Sequence, residues 1–180
     1  MAQKSTVYKA DLQIVDMDRG YYENHSLTVA QHPSETDERM MMRILAFGLH
    51  ASDALSFANG LSVSDEPDLW EKDLTGAIAL WVIVGLPDER AIKKACGRAS
   101  QVVAYSYGHA AKVWATTLKS GNKFDNLTVW NIPENASLVM AKLVERNMKI
   151  QLTKQDGVIW ILSKDETIEF KLESVKSQGN

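Results

Sequence analysis

Residues 61–88 read LSVSDEPDLWEKDLTGAIALWVIVGLPD. Two halves of opposite character meet in this stretch. The first carries five carboxylates in nine positions, Asp65, Glu66, Asp68, Glu71 and Asp73. The second, residues 77–86, is a continuous apolar run that stops at Pro87-Asp88. An uncharged, β-rich run of this length predicts a central strand over residues 77–85, buried on both faces. An acid segment turning around Pro67 into such a strand is how many metal-dependent phosphodiesterases place their carboxylates.

Working outward, Pro87-Asp88 opens a helix. Ala91, Ile92, Ala95, Cys96 and Ala99 make its inner face, and Arg90, Lys93, Lys94 and Arg98 make an outer basic stripe. Residues 101–105 read as a short strand, 107–118 as a helix with Gly121 just past its end, 127–132 as a strand, and Pro133 starts another helix. On the N-terminal side, Asn59-Gly60 ends a helix that starts at Ser34 and runs to about residue 57. Its cap is Ser34, with Asp37 three residues on. Met41, Ile44, Leu45, Gly48 and Ser52 follow helical spacing. Residues 61–63 read as a short strand. The ends of the chain are strand-rich: 7–16 and 21–30 around a turn at Gly20, then 148–153, 158–162 and 167–172, with Asp156-Gly157 as a hairpin signal. Residues 177–180 read as a loose tail. A crossover in a mixed sheet follows from this order. The fold class expected is α/β (α+β), in one domain over residues 1–180, with no repeat or Pro/Ser-rich linker to divide it.

Composition narrows the function. The chain has 180 residues, 45% hydrophobic and 24% charged, with net charge −3. That balance excludes a globally basic nucleic-acid binder, so any such contact needs a local patch. A single thiol, Cys96, makes no internal disulfide and fits a reducing compartment. It falls on an apolar helix face and reads as structural. No apolar leader opens the sequence and no run approaches the roughly 20 residues that span a bilayer, so a cytoplasmic protein is expected, off the membrane. There is no phosphate-cradling G-x-x-x-x-G-K-[ST], no G-x-G-x-x-G and no G-x-S-x-G elbow. His25, His32, His50 and His109 lack the H-x-x-x-H spacing of a helical zinc pair.

What remains is hard-cation chemistry. Mg²⁺ takes one or two protein carboxylates and completes its shell with water and phosphate oxygens. Such a site orients a water and stabilises charge on a scissile phosphate. Asp65, Glu66 and Asp68 lie near the strand, Glu35 on the preceding helix, and Lys93 and Lys94 just after it. Each also has a plain structural reading. Glu35 sits in a first helical turn and four residues before Arg39, Asp65 to Asp68 form a polar loop, the two lysines make a wet helix face, and Trp70 and Trp81 are core residues.

An ordered set of segments adds to this. His32-Pro33-Ser34-Glu35-Thr36, Glu38-Arg39-Met40, Gly60-Leu61, Asp65-Glu66-Pro67, Trp70, Leu80-Trp81, Gly85, Pro87-Asp88 and Lys93-Lys94-Ala95 together resemble the YaeQ family. The likeness continues through Tyr107, Trp114, Trp130 and Gln155-Asp156-Gly157-Val158-Ile159-Trp160. The resemblance implies a mixed-sheet core similar to the PD-(D/E)XK nuclease (restriction-endonuclease-like) superfamily, about residues 33–106, with an N-terminal hairpin and C-terminal antiparallel strands. It implies a site of Glu35, Glu66, Asp68, Lys93 and Lys94, with Glu66 and Asp68 on a Mg²⁺ or Mn²⁺ ion. One position departs from the pattern. Where the family usually shows W-I-E-x-G, this chain has Trp81-Val82-Ile83-Val84-Gly85, so Ile83 occupies the second carboxylate position and Gly85 the lysine position. Two functions follow. One is a Mg²⁺-dependent nuclease or phosphodiesterase whose site is degraded here. The other is a non-catalytic module on the same fold that binds nucleic acid, through Arg90, Lys93, Lys94 and Arg98, or protein.

Overall fold

In the computed structural model, which describes residues 4–118 and 123–175, the elements are, in chain order, β1 (Thr6–Asp16), β2 (Tyr21–Gln31), α1 (Asp37–His50), β3 (Leu55–Phe57), β4 (Leu69–Lys72), β5 (Ile78–Val84), α2 (Glu89–Arg98), β6 (Ala99–Ser106), α3 (Ala111–Thr117), β7 (Leu127–Asn131), α4 (Glu134–Ala141), β8 (Asn147–Gln155), β9 (Val158–Ser163), β10 (Glu166–Lys171) and β11 (Glu173–Ser174). The chain divides into two compact units, residues 1–49 with 135–172 and residues 50–134 with 173–180. Each has one mixed sheet. The expected tail at 177–180 and the expected Gly121 stop lie outside the described residues.

In the first unit the sheet order is β10-β9-β8-β1-β2. The N-terminal hairpin and the C-terminal strands are one sheet, joined where β1 runs parallel to β8, Leu12 opposite Ile150. Strict alternation along β1 puts Ala10, Leu12 and Ile14 on the buried face and Lys9, Asp11 and Gln13 outside. Helix α1 covers the buried face. A Cβ on Gly48 would stand 2.7 Å from Leu152 Cδ1 and 3.4 Å from Leu12 Cδ2, so glycine lets the helix come close to β1 and β8. Met40, Met41 and Met42 are each 0% exposed, so α1 is buried all round, where the sequence reads it as amphipathic.

Two corrections concern α1. It starts at Asp37, with Thr36 Oγ1 accepting from the Arg39 amide at 3.1 Å. Ser34 is spent in a turn, bonded to the His32 ring at 2.7 Å, because Pro33 is followed by the Glu35 amide closing on the His32 carbonyl at 2.8 Å. The helix also ends at His50 rather than near residue 57. Ser52 Oγ takes the amides of Ala54 and Leu55, a local bond that competes with helix and lets Leu55–Phe57 turn into β3.

The second unit holds the opening stretch. Its sheet order is β11-β7-β6-β5-β4-β3, with β5, β6 and β7 parallel and the other pairs antiparallel. The central strand and the helix after it stand as read from the sequence. Asp88 Oδ1 caps α2 through the Ala91 amide at 2.7 Å. Ala99, read as helical, is instead the first residue of β6, and Asn126 Nδ2 donates to the Cys96 and Ala99 carbonyls at 3.0 Å each, closing the helix end. Residues 61–63 form a turn on the Asn59 carbonyl rather than a strand, and residues 69–72, read as loop, are β4. The third helix starts at Ala111, four residues later than read. Among the described residues no helix is long and apolar enough to cross a membrane.

Candidate functional site

The connection between β3 and β4 carries the acid cluster. Its base is closed by the backbone: the Ala58 amide bonds the Asp68 carbonyl at 2.9 Å, and the Asp68 amide bonds the Val82 carbonyl at 3.0 Å. Only glycine fits at position 60, since a Cβ there would meet the Pro67 carbonyl oxygen at 2.7 Å and its carbon at 2.9 Å. The two ends of the loop therefore touch backbone to backbone.

Both loop carboxylates of the expected site hold this geometry. Glu66 Oε2 accepts from the Asn59 amide at 3.0 Å and from Asn59 Nδ2 at 3.1 Å. Asp68 is buried, and its Oδ2 accepts from the Val84 amide at 2.7 Å. The register explains why. The β4–β5 ladder starts at Leu69 opposite Val82, so Val84 lies beyond the end of β4. A side-chain oxygen extends the ladder by one bond where backbone runs out.

Glu35 belongs to the first unit, and its carboxylate is wholly buried. Arg39 NH1 donates to Oε2 at 2.6 Å, Arg43 Nε to the same oxygen at 2.8 Å, and Arg43 NH2 to Oε1. Arg43 NH2 also donates to the Ala30 carbonyl at 2.9 Å, which ties the start of α1 to the end of β2. The bidentate Arg43 contact is the strong geometry for a guanidinium and a carboxylate. Arg39 was within reach of the spacing argument. Arg43, eight residues on, lies outside that spacing, and the turns of α1 bring it to the same carboxylate.

The basic stripe divides in two. Lys94 forms an ion pair with Asp65, and Arg98 NH1 donates to the Asp65 carbonyl at 3.2 Å. Arg90 and Lys93 are exposed. Ile83 is half-buried and sits in apolar surroundings. It packs with Trp81, Ala95 and Val102 and with Ile92, Ala104, Leu118 and Val129 beneath α2. Cys96 touches the same clusters, and burial pushes its thiol above the usual range. Among the described residues no group of three or more His, Cys, Asp or Glu side chains is arranged to hold a metal ion.

Beside the loop lies a groove of about 500 Å³, lined by Val63, Asp65, Glu66, Trp70, Trp81 and Arg98 among others. Trp70 and Trp81 face each other across β4 and β5, and Lys72 Nζ stands 3.8 Å from the Trp70 ring centroid. Leu61, Val63 and the hairpin-tip Leu74 are exposed, Leu74 completely. The tip is fixed by Asp73 Oδ1, which accepts from the Thr75 amide, Thr75 Oγ1 and the Ala77 amide. The Thr75 hydroxyl above all, then these amides, lowers the Asp73 pKa. Trp70, read from the sequence as a core residue, is half-buried and lines the groove, and Asn59 and Leu74 carry no motif that marks them. An exposed leucine inside a short polar turn was the available signal.

Comparison with known proteins gives the lineage. The family model described as "YaeQ protein" matches residues 1–172. The chain is 42% identical over 174 residues to "Uncharacterized protein YaeQ" of Salmonella typhi, covering 96% of both chains, and equally so to its counterpart in Escherichia coli (strain K12). It superimposes on the crystal structure of YaeQ protein from Xanthomonas axonopodis pv. citri with TM-score 0.90 and 44% identity, covering 96% of this chain and 99% of that one. For the YaeQ protein of Pseudomonas syringae the TM-score is 0.93 at 33% identity, covering 98% and 99%. With a family model over nearly its whole length and relatives at this identity, the chain belongs to the YaeQ family.

Proposed function

We propose that this YaeQ-family chain is a non-catalytic binding module, one domain over residues 1–180 that keeps a nuclease-like core at about residues 33–106 without its metal chemistry, and that it works in the cytoplasm. The element order α1, β3, β4, β5, α2, β6 supports the nuclease-like part, being the helix, strands, helix and strand that the resemblance implies. The observation that carries the binding reading is Ile83 in its apolar cluster. The Ile83 side chain has no lone pair to give a cation. The donor set does not fit Mg²⁺ or Mn²⁺, since Asp68 serves a buried amide, Glu66 braces Asn59, and a hard cation needs oxygens it can keep.

The groove beside the loop supports a protein partner. A tryptophan floor with exposed Val63, and exposed Leu61 and Leu74 on the loop and the hairpin tip, suit an apolar anchor residue from another chain. Nucleic acid is the weaker reading, because two of the four stripe cations are engaged with Asp65, leaving Arg90 and Lys93 for phosphates.

The test combines three measurements. Purified protein with Mn²⁺ or Mg²⁺ should cleave plasmid, single-stranded DNA and RNA no faster than Glu66→Ala. Ile83→Glu should unfold more easily instead of gaining activity, because it sets an unpaired carboxylate into a half-buried apolar cluster. Charge reversal at Arg90 and Lys93 should leave partner capture unchanged, whereas Trp70→Ala and Leu74→Asp should abolish it. Metal-dependent cleavage above the control would overturn the reading.

A further inference from the structure

The first unit has a concavity of its own, on the outer face of its sheet. Its volume is about 520 Å³, and Asp11, Gln13, Asn24, Lys149, Gln151 and Lys164 contribute to its lining. Strand register arranges these side chains in rows. Asn24, Gln13 and Gln151 stand abreast on β2, β1 and β8. Ser26, Asp11 and Lys149 form the next row, and Tyr22, Val15, Thr153 and Trp160 the row on the other side, with Trp160 on β9.

Three features of this face point to one kind of ligand. No side-chain hydrogen bond to the three abreast amides occurs among the described residues, and each amide offers both a donor and an acceptor in one plane. Second, the row next to the amides, just outside the concavity's lining, carries an aromatic ring at each end. Tyr22 is 58% exposed and Trp160 half-buried, and three strand spacings of about 4.8 Å put them about 14 Å apart. Third, the charges cancel. Asp11 takes the Ser26 hydroxyl at 2.8 Å and lies opposite Lys149 in register, while Lys164 pairs with Glu145. A phosphodiester chain would need a surplus of cations, which this face lacks.

We infer that this face is a binding site for a short uncharged oligosaccharide, its hydroxyls bridged by the Asn24, Gln13 and Gln151 amides and its ring faces laid on Tyr22 and Trp160. Hydroxyl groups donate and accept as side-chain amides do, and an apolar ring face suits an aromatic side chain. The inference is independent of the protein-binding reading of the second unit.

The experiment titrates the full chain with cellotriose, maltotriose and triacetylchitotriose, following side-chain amide NMR signals and tryptophan fluorescence. At least one trisaccharide should bind saturably in the millimolar range or tighter, shift the Gln13 and Gln151 amide signals, and keep its affinity as salt is raised. Gln13→Ala combined with Gln151→Ala should weaken binding about tenfold or more with an unchanged melting temperature. Trp160→Ala should remove the fluorescence change. Saturable binding that ignores the Gln13 and Gln151 substitutions would overturn the site. So would no response to any of the three sugars, or salt-steep binding of oligo(dT) or poly(U) at this face in their place.

Discussion

Glu35 and Asp68 are both buried carboxylates from the same expected catalytic set, and they are held in opposite ways. Glu35 is neutralised by two arginines, with Arg43 gripping it side-on. Asp68 accepts a backbone amide at the end of a strand. The first is an ion cluster that fastens a helix to a hairpin, and the second is a substitute rung of a ladder. The difference teaches that acids at motif positions are not evidence of chemistry until their other partners are counted. It also sets how each should fail when removed.

Glu35→Ala should be the most damaging change, costing about 3–5 kcal/mol, because it strands a buried guanidinium. Replacing the pair together, Glu35→Leu with Arg43→Met, should recover most of that loss in chemical denaturation. If the single and double variants were equally unstable, the ion cluster would not be the cause. Asp68→Ala comes next, about 1–3 kcal/mol for an orphaned Val84 amide, while Asp68→Asn, which keeps an acceptor oxygen, should regain a large part of it. A metal ligand would behave differently, with Asn and Ala equally damaging in metal and neither mattering without it. Glu66→Ala should cost about 1 kcal/mol or less and show itself in faster proteolysis near residues 61–67, since Asn59 then loses its brace.

The smallest effect is in the turns, where each unit has an aspartate of lowered pKa. Asp18 takes the Gly157 and Asp156 amides and so joins the β1–β2 turn to the β8–β9 turn; the Gly157 amide is the main cause of its lowering. Asp73 does the like within one turn, chiefly through Thr75. A folded pKa below the ordinary 3.8 means the stabilisation is present above that value and lost as pH falls through the lower, folded one. Asp18→Asn and Asp73→Asn should therefore lower the melting temperature near neutral pH, with the gap to wild type closing below about pH 3.8.

The central strand, the helix behind it and the outer strands were legible because burial on two faces, helical spacing and alternation each leave a periodic trace. Residues 78–84, 89–98 and the β1 alternation show it. Short elements set by side-chain bonds were not. Ser52 diverts the chain into β3, and β4 is four residues long with a bulge at Glu71/Lys72, too short for any period to register. The joining of β1 to β8 was equally invisible, since parallel pairing across more than a hundred residues has no local signature. At the candidate site the residue types were legible and their partners were not. Arg43, Asn59 and the Val84 amide decide what Glu35, Glu66 and Asp68 do, and only the folded chain puts them in contact.

The most direct test of a scaffold without its cation is the melting temperature of the wild-type chain with and without millimolar Mn²⁺ or Mg²⁺. A metal present at about 100 times its dissociation constant would add about 2.7 kcal/mol, a shift of several degrees. No shift is expected, and the melting temperature should be the same after chelation. A metal-dependent rise that disappears in Glu66→Ala would contradict it.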